Sequence, residues 1–329
     1  MSSKSELDFL FQNINVVRSN GITVEDVGVK DGRFVDVTLP KAKRVIDGRG
    51  LYLLPGLLDT HMHVRSPAFD YREDFTSGTA AAAAGGITTI FEMPVSKPPT
   101  HNVEVLKKRI QAAEKNALVD FAFYGAAGHD NIDDIVPLAH AGVIGFKTFT
   151  QRAVKGREKE FLGMTTPTSG ELYKVFSEVA KTGRIIAVHA ESDPLIDLFM
   201  SDAAYGEYAV CPYYGRPPIV ELEAIARSII LARVTNTRIS LCHVSSPEGI
   251  ELIKRMRGED QEVYIESCLH YLECSEEDVR RLGVYAKIKP PLRSAEGLSH
   301  MRKLFEEGSI DYLGSDHAPF SSEEKASPS

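Results

Sequence analysis

From Leu51 onward the chain alternates short apolar runs with longer segments of mixed polarity, whereas residues 8 to 50 are broken every few positions by turn residues. The early part reads as short strands: Phe9 to Val17, the turn Ser19-Asn20-Gly21, Val27 to Val29, the turn Lys30-Asp31-Gly32, and Phe34 to Val37. That pattern predicts a small β module. The later runs are Leu51 to Asp59, Ile87 to Met93, Val119 to Gly125, Val143 to Phe149, Arg184 to His189, Arg238 to His243, Glu262 to Ser267 and Ile310 to Asp316. Helix signals lie between them. Ser246-Pro247-Glu248 offers an N-cap with proline at the first helical position, and Gly85-Gly86 closes the alanine run of residues 80 to 84, which reads as a tightly packed helix. Strands alternating with helices predict a parallel sheet, and eight such strands close into a barrel. The expected class is α/β, a (β/α)8 TIM-like barrel (residues 55–329) with a small β-sandwich module to which residues 1–54 contribute the N-terminal part.

Composition narrows the function classes. The 329 residues include 38 Lys and Arg against 46 Asp and Glu, with no dense basic block, so there is no electrostatic footprint for nucleic acid or an anionic membrane. A small-molecule substrate is expected instead. The start, Met1 to Leu10, carries charges without the apolar core of a signal peptide, and no stretch approaches the roughly 20 apolar residues of a membrane span. A soluble cytoplasmic protein is the expectation. Cys211, Cys242, Cys268 and Cys274 are scattered, lack Cys-x-x-Cys spacing, and read as reduced residues.

The candidate chemistry starts from His61-Met62-His63, because residues two apart on a strand project from one face and two imidazoles can grip one ion. Lys147, His189, His243 and Asp316 also end apolar runs. Singly, Lys147, His189 or His243 reads more readily as a hydrogen-bonded barrel residue than as a ligand, and the alternative for Asp316 is a cap on the following loop, although its place after the last strand favours catalysis. Together they fall at the carboxyl ends of predicted strands, where a barrel builds its active site. Four imidazoles, a lysine and an aspartate exceed one closed structural zinc site, and there is no thiolate set. Two divalent ions sharing a bridge would use them all. A lysine amine that reacts with carbon dioxide becomes a carbamate whose oxygens can span ions about 3.5–4 Å apart, and a hydroxide between such ions is a strong nucleophile at neutral pH. Asp316 would then shuttle its proton. His101, His129, His140 and His300 read as surface or satisfied residues without partners at the site. His317 adjoins Asp316 and is placed to orient it, while His270, after the seventh run, faces either the substrate or the packing.

The segments Pro55-Gly56-Leu57-Leu58-Asp59-Thr60-His61-Met62-His63 and Gly85-Gly86-Ile87-Thr88-Thr89 resemble the opening signature of the amidohydrolase superfamily. Gly145-Phe146-Lys147 and Gly314-Ser315-Asp316-His317-Ala318-Pro319 agree with it. The resemblance covers nearly the whole chain and is to the cyclic amidohydrolases: hydantoinases, dihydropyrimidinases, allantoinases and dihydroorotases. It implies two divalent ions, expected to be Zn2+, with His61 and His63 on one, His189 and His243 on the other, N6-carboxylated Lys147 bridging them, and Asp316 as ligand and proton shuttle. It also implies a small cyclic amide as substrate, and a homodimer or homotetramer is expected.

The ring is less clearly marked. Arg65 resembles the arginine with which dihydroorotases hold a substrate carboxylate, but Val95 stands where their asparagine would be. D-hydantoinases and dihydropyrimidinases carry a tyrosine five residues after the bridging lysine, where this chain has Arg152. The segments Glu92-Met93-Pro94, Glu266-Ser267-Cys268-Leu269-His270-Tyr271-Leu272 and Pro290-Pro291-Leu292-Arg293-Ser294-Ala295-Glu296 are most similar to allantoinases and L-type hydantoinases. A five-membered ureide ring is therefore expected, with Arg65, Val95, His270 and Lys289 as candidate contacts. Lys289 replaces a small residue, and backbone groups near it are expected to touch the ring. The alternatives are dihydroorotase activity and a scaffold that has lost catalysis, against which the intact ligand set counts. Relatives continue beyond the position of Ser329 with a last helix and strands that complete the small module, so a chain truncated after the eighth strand is expected.

Overall fold

A computed structural model describes residues 6–37, 41–202 and 215–326, with the side chains of residues 201 and 202 left aside; Cys211 lies outside the described residues. The chain divides into two compact units, Met1–Leu57 and Leu58–Ser329.

The first unit is a sheet of β1 (Leu7–Arg18), β2 (Gly21–Lys30), β3 (Arg33–Val35), β4 (Ala42–Asp47) and β5 (Tyr52–Leu53). Its order is β3-β2-β1-β4, with β5 also paired to β1. The predicted turn at residues 19–21 makes β1 and β2 an antiparallel hairpin, and a bulge between Phe11 and Ile14 puts Asn13 at a φ of +56°. Leu7, Ile14 and Val16 are buried, whereas Ile22, Val24, Phe34 and Val45 are exposed.

Apart from Leu57, the second unit holds the eight strands of the barrel: β6 (Leu57–Met62), β7 (Ile87–Glu92), β8 (Asp120–Ala126), β9 (Gly145–Phe149), β10 (Ile185–His189), β11 (Ile239–Leu241), β12 (Val263–Cys268) and β13 (Tyr312–Gly314). Each lies beside the next in chain order, and the pairs from β7 to β13 are parallel. A bridge between Met62 and His317 joins the last strand region to the first, with His63 N donating to His317 O at 2.7 Å. Asp59 reinforces that seam by accepting from Ser315 N at 3.0 Å. Phe75, Ile90, Phe146, Phe176, Ile186, Leu241 and Ile265 belong to one continuous buried cluster between sheet and helices.

All eight predicted barrel runs form strands, but the first is divided. Tyr52–Leu53 joins the small sheet, and β6 begins only after Pro55-Gly56, because proline has no N–H to give a ladder. No described helix is long and apolar enough to cross a membrane.

Candidate functional site

The carboxyl ends of the strands gather the residues that the apolar runs marked. β6 carries His61 and ends just before His63, and both imidazoles are buried. Their Nε2 atoms lie 3.2 and 3.3 Å from the same Asp316 Oδ1. His189 ends β10, and its Nδ1 is 2.9 Å from His243 Nε2 beyond β11. The His61 ring centroid is 5.4 Å from that of His63 and 5.4 Å from that of His243. Lys147, on β9, is 1% exposed, with Nζ donating to Cys242 Sγ at 3.0 Å and standing 5.2 Å over the Phe149 ring. All six candidate ligands therefore meet in one place.

The backbone pays for this convergence with unusual conformations: Arg65, His243 and Asp316 have φ values of +63°, +38° and +47°. Such angles are uncommon for residues with a Cβ and persist only where surroundings hold them. One close approach requires glycine, since a Cβ at Gly314 would sit 2.8 Å from His61 Cβ.

Burial favours the neutral imidazole at three of the four histidines. Burial pushes His63 down to about 3. Burial, then the neighbouring His189 and Lys147, holds His243 well below its usual value, and burial lowers His189 despite Glu191. Neutral imidazoles are the ligating form. At His61 burial opposes the charge most strongly, but the Glu266 and Asp316 carboxylates together with Cys242 outweigh it and raise the group to about 10. Burial also opposes ionisation of Asp316, and His61, His63 and His243 overcome it, keeping the carboxylate well below its usual range.

The donor set fits a divalent cation. His61, His243 and Asp316 each offer a ligand atom within 4.8 Å of the others. His63 Nδ1 and His243 Nδ1 are buried without a hydrogen-bond partner, an arrangement that costs free energy in a site closed by protein contacts alone. Nitrogen and oxygen donors of this kind suit zinc and similar borderline ions.

Three buried carboxylates support the cluster, and sequence reasoning gave none of them a role. Glu266, inside β12, accepts from His61 Nδ1 at 2.6 Å and from His243 N at 3.0 Å through the same Oε1. Glu191 accepts from His189 Nε2 at 2.9 Å and Gln151 Nε2 at 3.1 Å, and pairs with Arg216. Glu92, at the end of β7, accepts from Val64 N and Arg65 N at 2.8 and 3.1 Å and pairs with buried Arg109, fixing the turn after His63. The available signal was a carboxylate within or just after an otherwise apolar run.

A cavity of about 420 Å³ opens over the cluster, lined by Arg65, Val95, His270 and Lys289 together with the six candidate ligands. The Arg65 guanidinium is buried, stacks 4.6 Å over Phe320 and lies 3.7 Å from Glu160. Val95 is buried in an apolar cluster with Ala126, Phe161 and Met164. His270 Nε2 is buried without a partner, and burial lowers its pKa. Lys289 is exposed to the cavity although protein surrounds it closely. Arg152 is engaged by Asp193 at 3.1 Å and by Asp197.

His317 does not take the place expected of it. Its ring turns to Glu73, at 2.8 and 3.0 Å, and that carboxylate raises its pKa, while its backbone carbonyl serves the barrel seam. The reason is local: with Asp316 in a left-handed conformation, the chain reverses and the two neighbouring side chains diverge. Of the histidines set aside, His101 and His129 are satisfied by backbone carbonyls at 2.8 Å, and His300 lies 3.4 Å from Glu251.

Residues 52–327 match the Amidohydrolase family. L-hydantoinase of Paenarthrobacter aurescens is 36% identical over 325 residues, which is 97% of this chain and 70% of that protein. Allantoinase of Escherichia coli O1:K1 is 35% identical over 325 residues, covering 97% of this chain and 71% of that one. Among solved structures, L-hydantoinase (dihydropyrimidinase) from Arthrobacter aurescens superposes with a TM-score of 0.89 at 35% identity, over 97% of this chain and 71% of that chain. A D-hydantoinase superposes at 0.83 with 29% identity, over 95% and 69% of the two chains.

Proposed function

Because the chain belongs to the amidohydrolase family, we propose that it opens a cyclic amide of the hydantoin or allantoin type by hydrolysis of a ring C–N bond. It is a hydrolase of cyclic amides, and its reaction is metal-dependent. The observation that carries the reading is the meeting of four buried imidazoles, Lys147 and Asp316 beneath one cavity.

In this reading His61 and His63 would hold one divalent ion, His189 and His243 the other, with Asp316 as a further ligand and Zn2+ as the metal. Lys147 would bridge them after its amine adds to carbon dioxide, giving a carbamate and releasing a proton. Its burial on β9, in the same cavity wall as the four imidazoles and with only Cys242 Sγ as a hydrogen-bond partner among the described residues, supports that assignment, since a buried amine without an anion is favoured in its neutral, reactive form. When bound, the ions supply Lewis acidity that activates water and polarises the ring carbonyl. The chain's own residues do the rest. Asp316, kept ionised by its imidazole neighbours, takes a proton at Oδ and returns it to the departing ring nitrogen. Glu266 and Glu191 hold the imidazoles in orientation. The cavity walls, with Val95 and His270 among them, position the ring. The reading also includes a cytoplasmic setting and a homodimer or homotetramer, to be decided by fractionation and by mass in solution.

The test is ring opening by metal-replete protein and by Asp316→Asn, on allantoin, 5-substituted hydantoins of each hand, dihydrouracil and dihydroorotate. The highest kcat/KM should fall on a hydantoin or on allantoin, and Asp316→Asn should slow the chemical step at least about 100-fold. A preference for dihydroorotate would overturn the ring assignment. Metal-loaded protein that opens no ring would favour a scaffold instead.

A further inference from the structure

The cavity reverses the sign of the molecule. The chain carries a formal charge of −8, yet seven arginines and lysines besides Lys147 line the cavity, against two carboxylates, Asp316 and Glu324, among the described residues. Both carboxylates are committed: Asp316 to His61 and His63, and Glu324 to Arg72 at 2.9 and 3.0 Å. Most of the arginines are answered as well, Arg152 by Asp193, Arg157 by Glu160 and Arg216 by Glu191.

Lys289 is different. No carboxylate lies within ion-pair distance of its ammonium among the described residues. Burial, then Arg216 and Lys287, lowers its pKa to about 8, with Glu191 acting in the opposite direction. Glu191 is itself occupied by Arg216, His189 and Gln151. The backbone beneath Lys289 is fixed, because Pro290 O accepts from the buried Tyr271 hydroxyl at 2.6 Å. A cation is thus anchored at its base and held among other cations, in the wall of the cavity that the ligand cluster also lines. It forms no ion pair with a carboxylate of the described residues, so its charge is left for whatever enters the cavity. A carboxylate there would gain attraction from several cations at once, in surroundings less screened than open water.

Resting on the ring-opening reading, we infer that Lys289 builds an anion subsite and that the preferred ring carries a carboxylate on its substituent arm, as in a carboxyalkyl hydantoin. Selectivity is then set by a residue that the metal chemistry does not use. Initial rates of metal-replete protein on 5-(2-carboxyethyl)hydantoin and on its neutral carboxamide analogue give the discriminating ratio of kcat/KM. Wild type should favour the carboxylate by about tenfold or more, with the advantage mainly in KM and falling as salt is raised. Lys289→Met should bring the ratio close to one, and Lys289→Arg should retain most of it. Equal kcat/KM on the two rings in wild type would overturn the subsite, as would a Lys289→Met protein that loses both rates in the same proportion. Failure to open either ring would overturn the ring-opening reading itself, and this subsite with it.

Discussion

Glu266 serves two of the candidate ligand residues with one oxygen. Its Oε1 accepts from the His61 ring and from the backbone N–H of His243, whose φ of +38° needs such an anchor. A carboxylate behind a ligating imidazole fixes both the ring's orientation and which nitrogen carries the proton, and loss of such a partner typically costs 10–100-fold in metal affinity or activity. Glu266→Gln keeps the size but loses the charge, and Glu266→Asp keeps the charge but withdraws it by a methylene. Both proteins should bind zinc about 10–100-fold more weakly in a chelator-competition titration while retaining the wild-type far-UV circular dichroism. Metal affinity within twofold of wild type in both would mean that Glu266 merely fills space. At this scale the sequence was legible for the residues that gather at the strand ends and silent on their supports. A glutamate inside a strand looks like a position facing solvent, and only the closed barrel turns it inward.

Elements were more legible than their ends. Ser246 caps the helix Pro247–Met256 as expected, accepting from Gly249 N, and Gly85 ends the helix Phe75–Ala84. β11 stops short of its apolar run at Leu241 and β13 at Gly314, because His243 and Asp316 leave the ladder with positive φ to aim their side chains. Hydrophobic periodicity does not encode such departures. The helix Ser169–Ala180 offers an element-scale test remote from the ligands: Thr168 and Glu171 form a reciprocal capping box that satisfies two otherwise orphaned N–H groups. Thr168→Ala should destabilise the barrel by about 1 kcal/mol, read as a lower urea midpoint at unchanged slope, with kcat unaltered. An unchanged midpoint would show that water replaces the cap without loss.

For the whole molecule, the eight-strand plan could be read because each strand is a short apolar run with its own flanking helix signals. The cavity's charge could not, since Arg65, Arg152, Arg216 and Lys289 come from segments far apart in sequence and acquire a common meaning only when the ring closes. The same closure separates stability from chemistry. Phe146, Ile186, Val188, Leu241 and Ile265 are fully buried between the sheet and the helices, so the fold rests on packing that needs no ion. Ions present at about 1,000 times their dissociation constant would add roughly 4 kcal/mol by mass action, and a chain of this size loses about 2–4 °C of Tm per kcal/mol. Chelation should therefore lower Tm by an amount on the order of 10 °C, leave the far-UV circular dichroism intact at 25 °C, and abolish ring opening, which zinc addition should restore. Loss of the dichroism on chelation would make the ions part of the fold, whereas turnover that survives complete chelation would remove them from the reaction and leave the imidazoles without the role their convergence implies.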